Sequence, residues 1–175
     1  MKKILGKRFF NRDAKAVAED LLGKFLVRKF QNGRVKKFLI TECEAYDGEK
    51  DLACHASKGR TKRTEVMYGQ AGRFYIYLCY GMYWMLNIVT GKKGYPAAVL
   101  IRGIERYRGP GRLTKTLKID KNLNGKLVSR SSGLWVEDLG EKLQRKEIKK
   151  TSRVGVTYAG PIWSAKKWRF TIIAR

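Results

Sequence analysis

Two glutamates separated by one residue lie in a stretch that has the alternation of a β-strand. In an extended strand alternate side chains project to one face, and here that face carries Phe38, Ile40, Glu42, Glu44 and Tyr46. Like charges and partial burial would push the two carboxyl pKa values apart and leave one carboxylate as a general base. The pattern equally allows an edge strand with its acids in water, and it does not choose between Glu42 and Glu44.

His55 is the single histidine of the chain and follows Glu44 across a strand break. A lone histidine is usually structural or solvated, and its functional alternative is to stack on a ligand or hydrogen-bond to it. Cys43, Cys54 and Cys79 form no CxxC pair, which disfavours a disulfide framework and a zinc ribbon and predicts free thiols. Because their spacing with His55 fits no usual zinc pattern, no metal site is predicted.

The densest aromatic cluster of the chain is the stretch RFYIYLCYGMYW. Tyr75 and Tyr77 share one face of a predicted strand, whereas Tyr80 and Tyr83 crowd the tight turn that follows, where large rings gain little by burial. Aromatic strands usually pack into a core. An exposed ring at a hairpin tip in a basic protein nevertheless suggests a wedge inserted between base pairs.

Two polar side chains interrupt strands that are otherwise apolar. Asn87 lies in the run 84–89, where a buried amide costs a few kcal/mol unless it finds hydrogen-bond partners. It is either a satisfied core amide or a group that reads a base. Arg102 ends an apolar strand, and we expect it to pair with a carboxylate such as Glu44.

The elements that position these residues are predicted to be mainly antiparallel strands, in one domain over residues 1–175. Strands are predicted over residues 24–30, 34–46, 73–80, 83–90, 97–104, 153–156 and 168–173. Helices are predicted over residues 14–22, 49–56 and 110–117, because Asp13 and Pro110 favour helix starts and Gly23 a helix end. Residues 134–150 alternate charged and apolar side chains, which indicates a solvated helix or loop.

The charge of the chain requires a polyanionic partner. Lys and Arg total 39 against 15 Asp and Glu, a net charge of +24. Nucleic acid and an anionic membrane both qualify. No apolar run reaches the roughly 20 residues of a membrane helix, and the basic N-terminus lacks the apolar region of a signal peptide. We therefore expect an intracellular, reducing location, either cytoplasmic and nucleoid-associated or nuclear.

Several short motifs occur in a characteristic order and spacing, namely ECEAY at 42–46, ACH at 53–55, YGMY at 80–83, NI at 87–88, LIR at 100–102, GPGRL at 109–113 and RVGV at 153–156. Together they resemble the alkyladenine (3-methyladenine) DNA glycosylase family over nearly the whole chain. The resemblance implies a single mixed α+β domain, with a curved antiparallel sheet and flanking helices. It also implies a monomer that acts on double-stranded DNA containing damaged purines and needs no cofactor.

The activity implied by the resemblance is monofunctional hydrolysis of the N-glycosidic bond in base excision repair. Its substrates would be alkylated or deaminated purines of the 3-methyladenine, 7-methylguanine, hypoxanthine and ethenoadenine class. In that family the second acid of the ECEAY stretch activates water, so the resemblance selects Glu44 over Glu42. Arg102 and the backbone carbonyl of Val154 would help Glu44 orient that water.

The resemblance also implies how the base is held. Tyr46 would stack on one face of the flipped purine, with His55 and Tyr77 on the other, and Asn87 would screen the purine edge against normal guanine. These roles agree with the physics of the reaction, because tyrosine faces attract the positive charge of an alkylated purine. A cationic base also leaves without protonation, so one carboxylate suffices.

Extruding a nucleotide from the stack costs a few kcal/mol. By resemblance Tyr80, with Met82 beside it at the hairpin tip, would fill the gap and offset that cost. Phosphates would be tracked by cationic side chains, notably Lys58, Arg60, Lys62, Arg63 and Arg112.

Two other functions fit parts of the pattern. A non-catalytic RNA-binding or ribosome-associated module would use the charge and the exposed aromatic rings, but it gives no reason for Glu42 and Glu44. A zinc nucleobase deaminase is disfavoured because the HxE and PCxxC motifs of that chemistry are absent.

Overall fold

The computed structural model describes residues 3–141 and 143–173, so positions 1, 2, 142, 174 and 175 of the predicted domain lie outside it. Its strands are β1 (Lys3–Ile4), β2 (Phe25–Lys29), β3 (Val35–Asp47), β4 (Phe74–Cys79), β5 (Tyr83–Thr90), β6 (Ala97–Ile104), β7 (Tyr107–Arg108), β8 (Leu134–Asp138), β9 (Ile148–Thr151) and β10 (Arg169–Ile172). Its α-helices are α1 (Lys7–Phe10), α2 (Ala14–Leu21), α3 (Pro110–Thr116) and α4 (Gly160–Ser164). Short 3-10 helices cover His55–Lys58, Glu65–Tyr68, Lys121–Leu123, Arg130–Ser132, Arg145–Glu147 and Thr157–Ala159.

The long strand β3 organises the sheet. In the described residues the strands form one open antiparallel sheet in the order β1-β8-β2-β3-β6-β5-β4, with β10 joining β3 to β9 and β7 pairing with β6. The first residues of β3 pair with β2, and its later residues lie between β6 and β10. The predicted α+β class is therefore confirmed, and the glutamate-bearing part of β3 is an interior strand.

The local signals read from the sequence form the predicted turns and caps. The Asp13 carboxylate accepts hydrogen bonds from the first backbone N–H groups of α2, whose apolar face packs against β3 and β6. Asn32-Gly33 joins β2 to β3, with Gly33 in the left-handed conformation that this turn requires. Pro110 begins α3, which packs on β5 and β6. These helices and the sheet enclose the main apolar core.

A β-bulge in β3 overturns the predicted single face. The pairing of β3 with β6 shifts register between Ile40 and Cys43. The extra residue reverses the alternation, so Ile40 packs in the core with Cys43 and Ala45. The prediction that Ile40 shares the face of the glutamates is wrong for this reason. Downstream of the bulge, Glu42, Glu44 and Tyr46 do share a face.

Three other predictions need correction. Residues 134–150 are not a solvated helix or loop, because β8 is a buried strand between β1 and β2 and β9 follows it. Residues 153–156 turn at Gly155, which has a positive φ, and do not form a strand. Residues 49–56 are mostly turn, and helical structure begins only at His55.

The position of Ile40 that results from the bulge can be tested by measuring the stability of the protein. We expect Ile40→Ala to lower the free energy of unfolding by about 2–5 kcal/mol, since it removes a fully buried side chain from the core. Val35→Ala, at an exposed position of the same strand, should change it by less than about 0.5 kcal/mol. Urea unfolding measures both. A change at Ile40 as small as that at Val35 would show that this side chain does not lie in the core.

Candidate active site

A cavity of about 670 Å³ opens beside the later half of β3. That size suits a small organic ligand. Among the residues predicted to form a site, those that line it are Tyr46, His55, Tyr77, Tyr80, Asn87, Arg102 and Val154. Strands β3 to β6, the turn before His55–Lys58 and the turn at 154–155 bring these side chains together. Glu44 lies behind the wall, and Met82 lies outside the cavity on the hairpin tip.

Glu44 is completely buried beneath the cavity wall. Its Oε1 accepts a hydrogen bond from the backbone N–H of Val154 at 2.8 Å, and its Oε2 accepts one from the Tyr46 hydroxyl at 2.9 Å. Burial raises the pKa of Glu44, while Arg102, the Val154 N–H and the Tyr46 hydroxyl act in the opposite direction. Three of its neighbours line the cavity, so the carboxylate is connected to the cavity through hydrogen-bonding groups.

Glu42 has a different environment although it lies on the same face. Its Oε1 accepts hydrogen bonds from Arg102 Nε at 2.9 Å and from Arg169 Nε at 2.6 Å. Arg102 Nε is 3.5 Å from Glu44 Oε1, so the expected pairing with Glu44 exists as the longer of two contacts. The edge-strand interpretation is wrong, because only 8% of Glu42 and 0% of Glu44 is exposed.

A buried ion pair holds the turn that reaches Glu44. Two guanidinium nitrogens of Arg153 contact the two carboxylate oxygens of Asp51 at 2.6 and 2.8 Å, and both side chains are fully buried. Arg153 also donates to the carbonyl of Ala45 in β3, and Asp51 accepts from the backbone N–H groups of Asp47 and Ala53. This network fixes the turn after β3 against the turn that presents the Val154 N–H.

His55 and two tyrosines form one aromatic wall. His55 Nδ1 lies 2.9 Å from the Tyr75 hydroxyl, and the His55 ring meets the Tyr77 ring edge-on with centroids 4.5 Å apart. Burial, with a smaller contribution from the charge of Arg63, lowers the pKa of His55 to about 4. The imidazole is therefore neutral at pH 7, which suits stacking on a base.

Each of the two tyrosines expected to hold a base also carries an arginine on its ring. The guanidinium carbon of Arg153 is 4.8 Å from the centroid of Tyr46, and that of Arg63 is 4.9 Å from the centroid of Tyr77. Both distances are within the range of a cation–π contact. The positions of the two rings are thus set by cations as well as by the strands that bear them.

Asn87 is a satisfied buried amide that also lines the cavity. Its Nδ2 donates to the carbonyls of Tyr75 at 3.1 Å and Met85 at 3.4 Å. With Nδ2 committed to the backbone, Oδ1 is the amide atom left to meet a ligand. The first alternative drawn from the sequence, a satisfied core amide, is confirmed. The second, a group that reads a base, stays a prediction.

The hairpin between β4 and β5 presents an exposed aromatic tip. Tyr80 is 87% exposed, Met82 67% and Tyr83 48%, which confirms the exposure expected of this turn. Tyr80 has a φ of 51°, which is uncommon for a residue with a Cβ and stores strain at the rim of the cavity. The Tyr83 ring lies so close to Gly111 of α3 that a Cβ there would meet it at 2.5 Å. The hairpin is therefore braced by α3.

The sequence did not single out Asp51, Arg153, Tyr75 or Arg169 as site residues. Arg153 stood inside the RVGV motif, but its partner is Asp51, far away in the chain, and no local pattern pairs them. A signal for Tyr75 was present, since it shares a strand face with Tyr77.

The thiols of Cys43 and Cys54 are buried and that of Cys79 is partly exposed, and all three are free, as predicted. Burial raises the pKa of Cys54, which lines the cavity, to about 12. No group of three or more His, Cys, Asp or Glu side chains in residues 3–141 and 143–173 is arranged to hold a metal ion. No helix within these ranges is long and apolar enough to cross a membrane.

Comparison with known proteins matches this chain to the family described as methylpurine-DNA glycosylase (MPG), over residues 8–108 and 105–175. Three similar proteins carry the name "putative 3-methyladenine DNA glycosylase". That of Methanocella arvoryzae is 46% identical, over 95% of this chain and 91% of its own length. That of Sodalis glossinidius is 45% identical, over 95% of both chains, and that of Legionella pneumophila (strain Paris) is 44% identical, over 98% and 95%.

The lowered pKa of His55 makes a prediction about pH. The pKa is about 6.5 in the unfolded chain and about 4 in the folded protein, so between these values only the unfolded chain binds the proton. The free energy of unfolding should therefore fall as the pH is lowered from about 6.5 to about 4, by up to about 3 kcal/mol from this group. Urea unfolding at a series of pH values, on wild type and His55→Gln, isolates the contribution. Parallel curves for the two proteins would contradict it.

Proposed function

Because this chain belongs to the methylpurine-DNA glycosylase family, we propose that it flips alkylated or deaminated purines out of duplex DNA and hydrolyses their N-glycosidic bonds. The class comprises 3-methyladenine, 7-methylguanine, hypoxanthine and ethenoadenine. The strongest support is the cavity whose aromatic walls lie directly over a buried carboxylate, Glu44. An exposed tyrosine at its rim and the net charge of +24 fit a duplex as the substrate.

The flipped purine enters the cavity between Tyr46 on one side and the wall of His55 and Tyr77 on the other. Stacking on aromatic side chains holds a base with little regard to its sequence context. Asn87 Oδ1 then meets the edge of the purine and discriminates against bases whose edge does not match it. A neutral His55 supports this arrangement, because a charged imidazole would lose stacking energy to desolvation.

Hydrolysis breaks the bond between the sugar C1′ and the purine nitrogen, and the bonding electron pair leaves with the base. A cationic purine departs as a neutral base, whereas a neutral purine departs as an anion that takes up a proton from solvent. A water molecule supplies the oxygen that bonds to C1′, and a carboxylate takes its proton and stabilises the cationic sugar of the transition state. Glu44 suits this role, since a raised pKa brings a carboxylate nearer to the operating pH of a general base.

The hydrogen bonds of the two carboxylates explain why the role falls to Glu44 and not to Glu42. One oxygen of Glu42 accepts two arginine Nε–H groups, which commits that carboxylate to charge pairing. Glu44 instead faces Val154 and the Tyr46 hydroxyl. Because that hydroxyl covers Oε2, a proton from water reaches the carboxylate either through the hydroxyl or after Tyr46 shifts on stacking with the base.

The predicted role of the Val154 carbonyl remains part of this proposal. The structure adds a contact through the N–H of the same residue, which donates to Glu44. The turn at Val154 can thus hold the carboxylate through its N–H while its carbonyl accepts from the water. Arg102, which contacts both glutamates, stabilises their charged forms.

Tyr80 is the wedge that replaces the flipped nucleotide in the stack, and Met82 lies beside it on the tip. Insertion of an apolar side chain between base steps offsets the cost of unstacking. The positive φ of Tyr80 supports the role, because strained residues that a fold maintains cluster at functional sites. Cations such as Lys58, which lines the cavity, and Arg112 of α3 contact phosphates and make binding depend on salt.

A non-catalytic RNA-binding module is a weaker alternative. Such a module needs basic and aromatic groups, but it has no use for a buried carboxylate held beneath a cavity lined by aromatic rings. Burying Glu44 costs folding free energy, and a purely binding function would not repay it.

The central test is Glu44→Gln. The amide keeps the shape of the side chain and an acceptor for the Val154 N–H, but it cannot take a proton. We expect single-turnover release of the modified purine from methylated duplex DNA to fall by at least about 10²-fold, with lesion binding retained. Undiminished release would contradict the mechanism.

Glu42→Gln is the matched control for that experiment. It makes the same chemical change on the same face of β3, and it should slow release less than Glu44→Gln does. Urea unfolding must first show that both variants are folded, because removing the Glu42 charge leaves two arginines less compensated. A larger loss at Glu42 would move the catalytic role to that residue.

The wedge role predicts a lesion-dependent loss for Tyr80→Ala. Binding to duplex carrying a modified purine should weaken by about tenfold more than binding to undamaged duplex, because only the flipped state uses the ring. Fluorescence anisotropy at fixed salt measures both affinities. Tyr95→Ala, at an exposed tyrosine outside the cavity, is the control, and an equal loss on the two duplexes for Tyr80→Ala would exclude the wedge.

A further inference from the structure

Arg63 is a cation placed against the wall of the cavity. It lines the cavity together with Tyr77, and its guanidinium carbon is 4.9 Å from the centroid of that ring. The sequence suggested only that Arg63 contacts phosphates. Its position over a ring that a base would stack on gives it a second possible effect, on the base itself.

Most other charges around the cavity are compensated. Arg153, which lies over Tyr46, is paired with Asp51 in a two-bond contact. Arg102 and Arg169 are balanced by Glu42 and Glu44.

Arg63 and Lys58 differ from these cations. Among the residues that the structure describes, no carboxylate lies within ion-pair distance of either side chain. Of the two, only Arg63 contacts an aromatic ring of the wall. Arg63 is therefore an uncompensated cation in contact with a ring of the proposed stacking wall.

A cation on a tyrosine ring changes what the ring attracts. The negative face of the ring is already polarised by the guanidinium, so a positively charged purine gains less from stacking there. Direct repulsion between the two positive charges adds to the effect, whereas a neutral purine feels neither.

We propose that Arg63 determines specificity by charge, shifting the preference of the cavity away from cationic purines such as 7-methylguanine and towards neutral ones such as hypoxanthine. This inference rests on the proposed glycosylase function and names the substrate class that the site favours. The inference concerns the ratio of the excision rates of 7-methylguanine and hypoxanthine. The intrinsic strength of each N-glycosidic bond is the same with and without Arg63, so a change in this ratio reports the effect of Arg63.

The aromatic wall shows that the charge of Arg63 extends into the cavity. Burial is the larger cause of the lowered pKa of His55, and Arg63 is the second. Burial likewise raises the pKa of Tyr75 to about 12, with Arg63 acting against it. A field that disfavours a proton on His55 disfavours a positive charge on the base that stacks beside it.

The test compares excision of 7-methylguanine and hypoxanthine placed in the same duplex sequence. Single-turnover rate constants with saturating enzyme remove differences in affinity for the duplex, so they report the stacking of the flipped base and the bond cleavage. For Arg63→Gln we expect the ratio of the 7-methylguanine rate to the hypoxanthine rate to rise about three- to tenfold over that of the wild type. Arg63→Lys keeps the charge and should keep the ratio within about twofold of the wild type.

Lys62→Gln is the matched control, because it removes a unit charge from the adjacent position but does not line the cavity. Its ratio should match that of the wild type even if its affinity for DNA falls. NMR titration of His55, the single histidine, gives a second readout that does not depend on activity. The pKa of His55 should rise in Arg63→Gln and stay unchanged in Lys62→Gln.

The outcomes separate this inference from the proposed function. A wild type that releases neither base contradicts the proposed function, whose substrate class includes both. An active wild type whose ratio is unchanged or lowered in Arg63→Gln overturns the charge preference, even if the pKa of His55 rises. Equal slowing of both lesions in Arg63→Gln would assign Arg63 to phosphate contact and overturn it as well.

Discussion

The buried contact between Arg153 and Asp51 is the interaction on which the geometry of the site depends. It links the end of β3, the turn that follows it and the turn that carries Val154. Breaking such a pair leaves an unpaired buried charge, which is far more costly than never having formed it. The fold therefore holds the Val154 N–H against Glu44 by an ion pair that needs both of its partners. The guanidinium also lies against Tyr46, so one cation positions both the carboxylate and a wall of the cavity.

Charge pairing runs through the site as a whole. Two arginines share one oxygen of Glu42, while Glu44 stays buried on backbone and hydroxyl donors. The hydrogen bonds and ion pairs hold these groups in place without a substrate, so in the proposed reaction they would stabilise a cationic transition state with little reorganisation. Holding these groups in place lowers the free energy of unfolding, because burial raises the pKa of Glu44 and lowers the pKa of His55.

The sequence predicted the hairpins and the capped helix, because each rests on a local pattern. Seven of the residues that motif spacing and the family resemblance grouped together line one cavity. Prediction from the sequence failed where a distant partner decides the structure. The alternating charges of β8 suggested solvent, but Glu137 is buried with Lys37 and the Trp135 indole as partners. The bulge that turns Ile40 into the core follows from pairing with β6. Periodicity cannot reveal such partners, which lie far away in the chain.

The exposed hairpin tip affects whether free molecules of the protein associate with one another in solution. Tyr80 and Met82 form an exposed apolar projection, and exposed apolar surface favours self-association of the chain. A net charge of +24 opposes this by mutual repulsion, so dispersal and DNA affinity arise from the same lysines and arginines. Bound DNA neutralises this charge only at the surface where it binds. The hairpin tip can therefore approach a duplex, while free copies of the chain still repel one another. High salt screens the charges, so it weakens both the repulsion between copies of the chain and the binding of DNA.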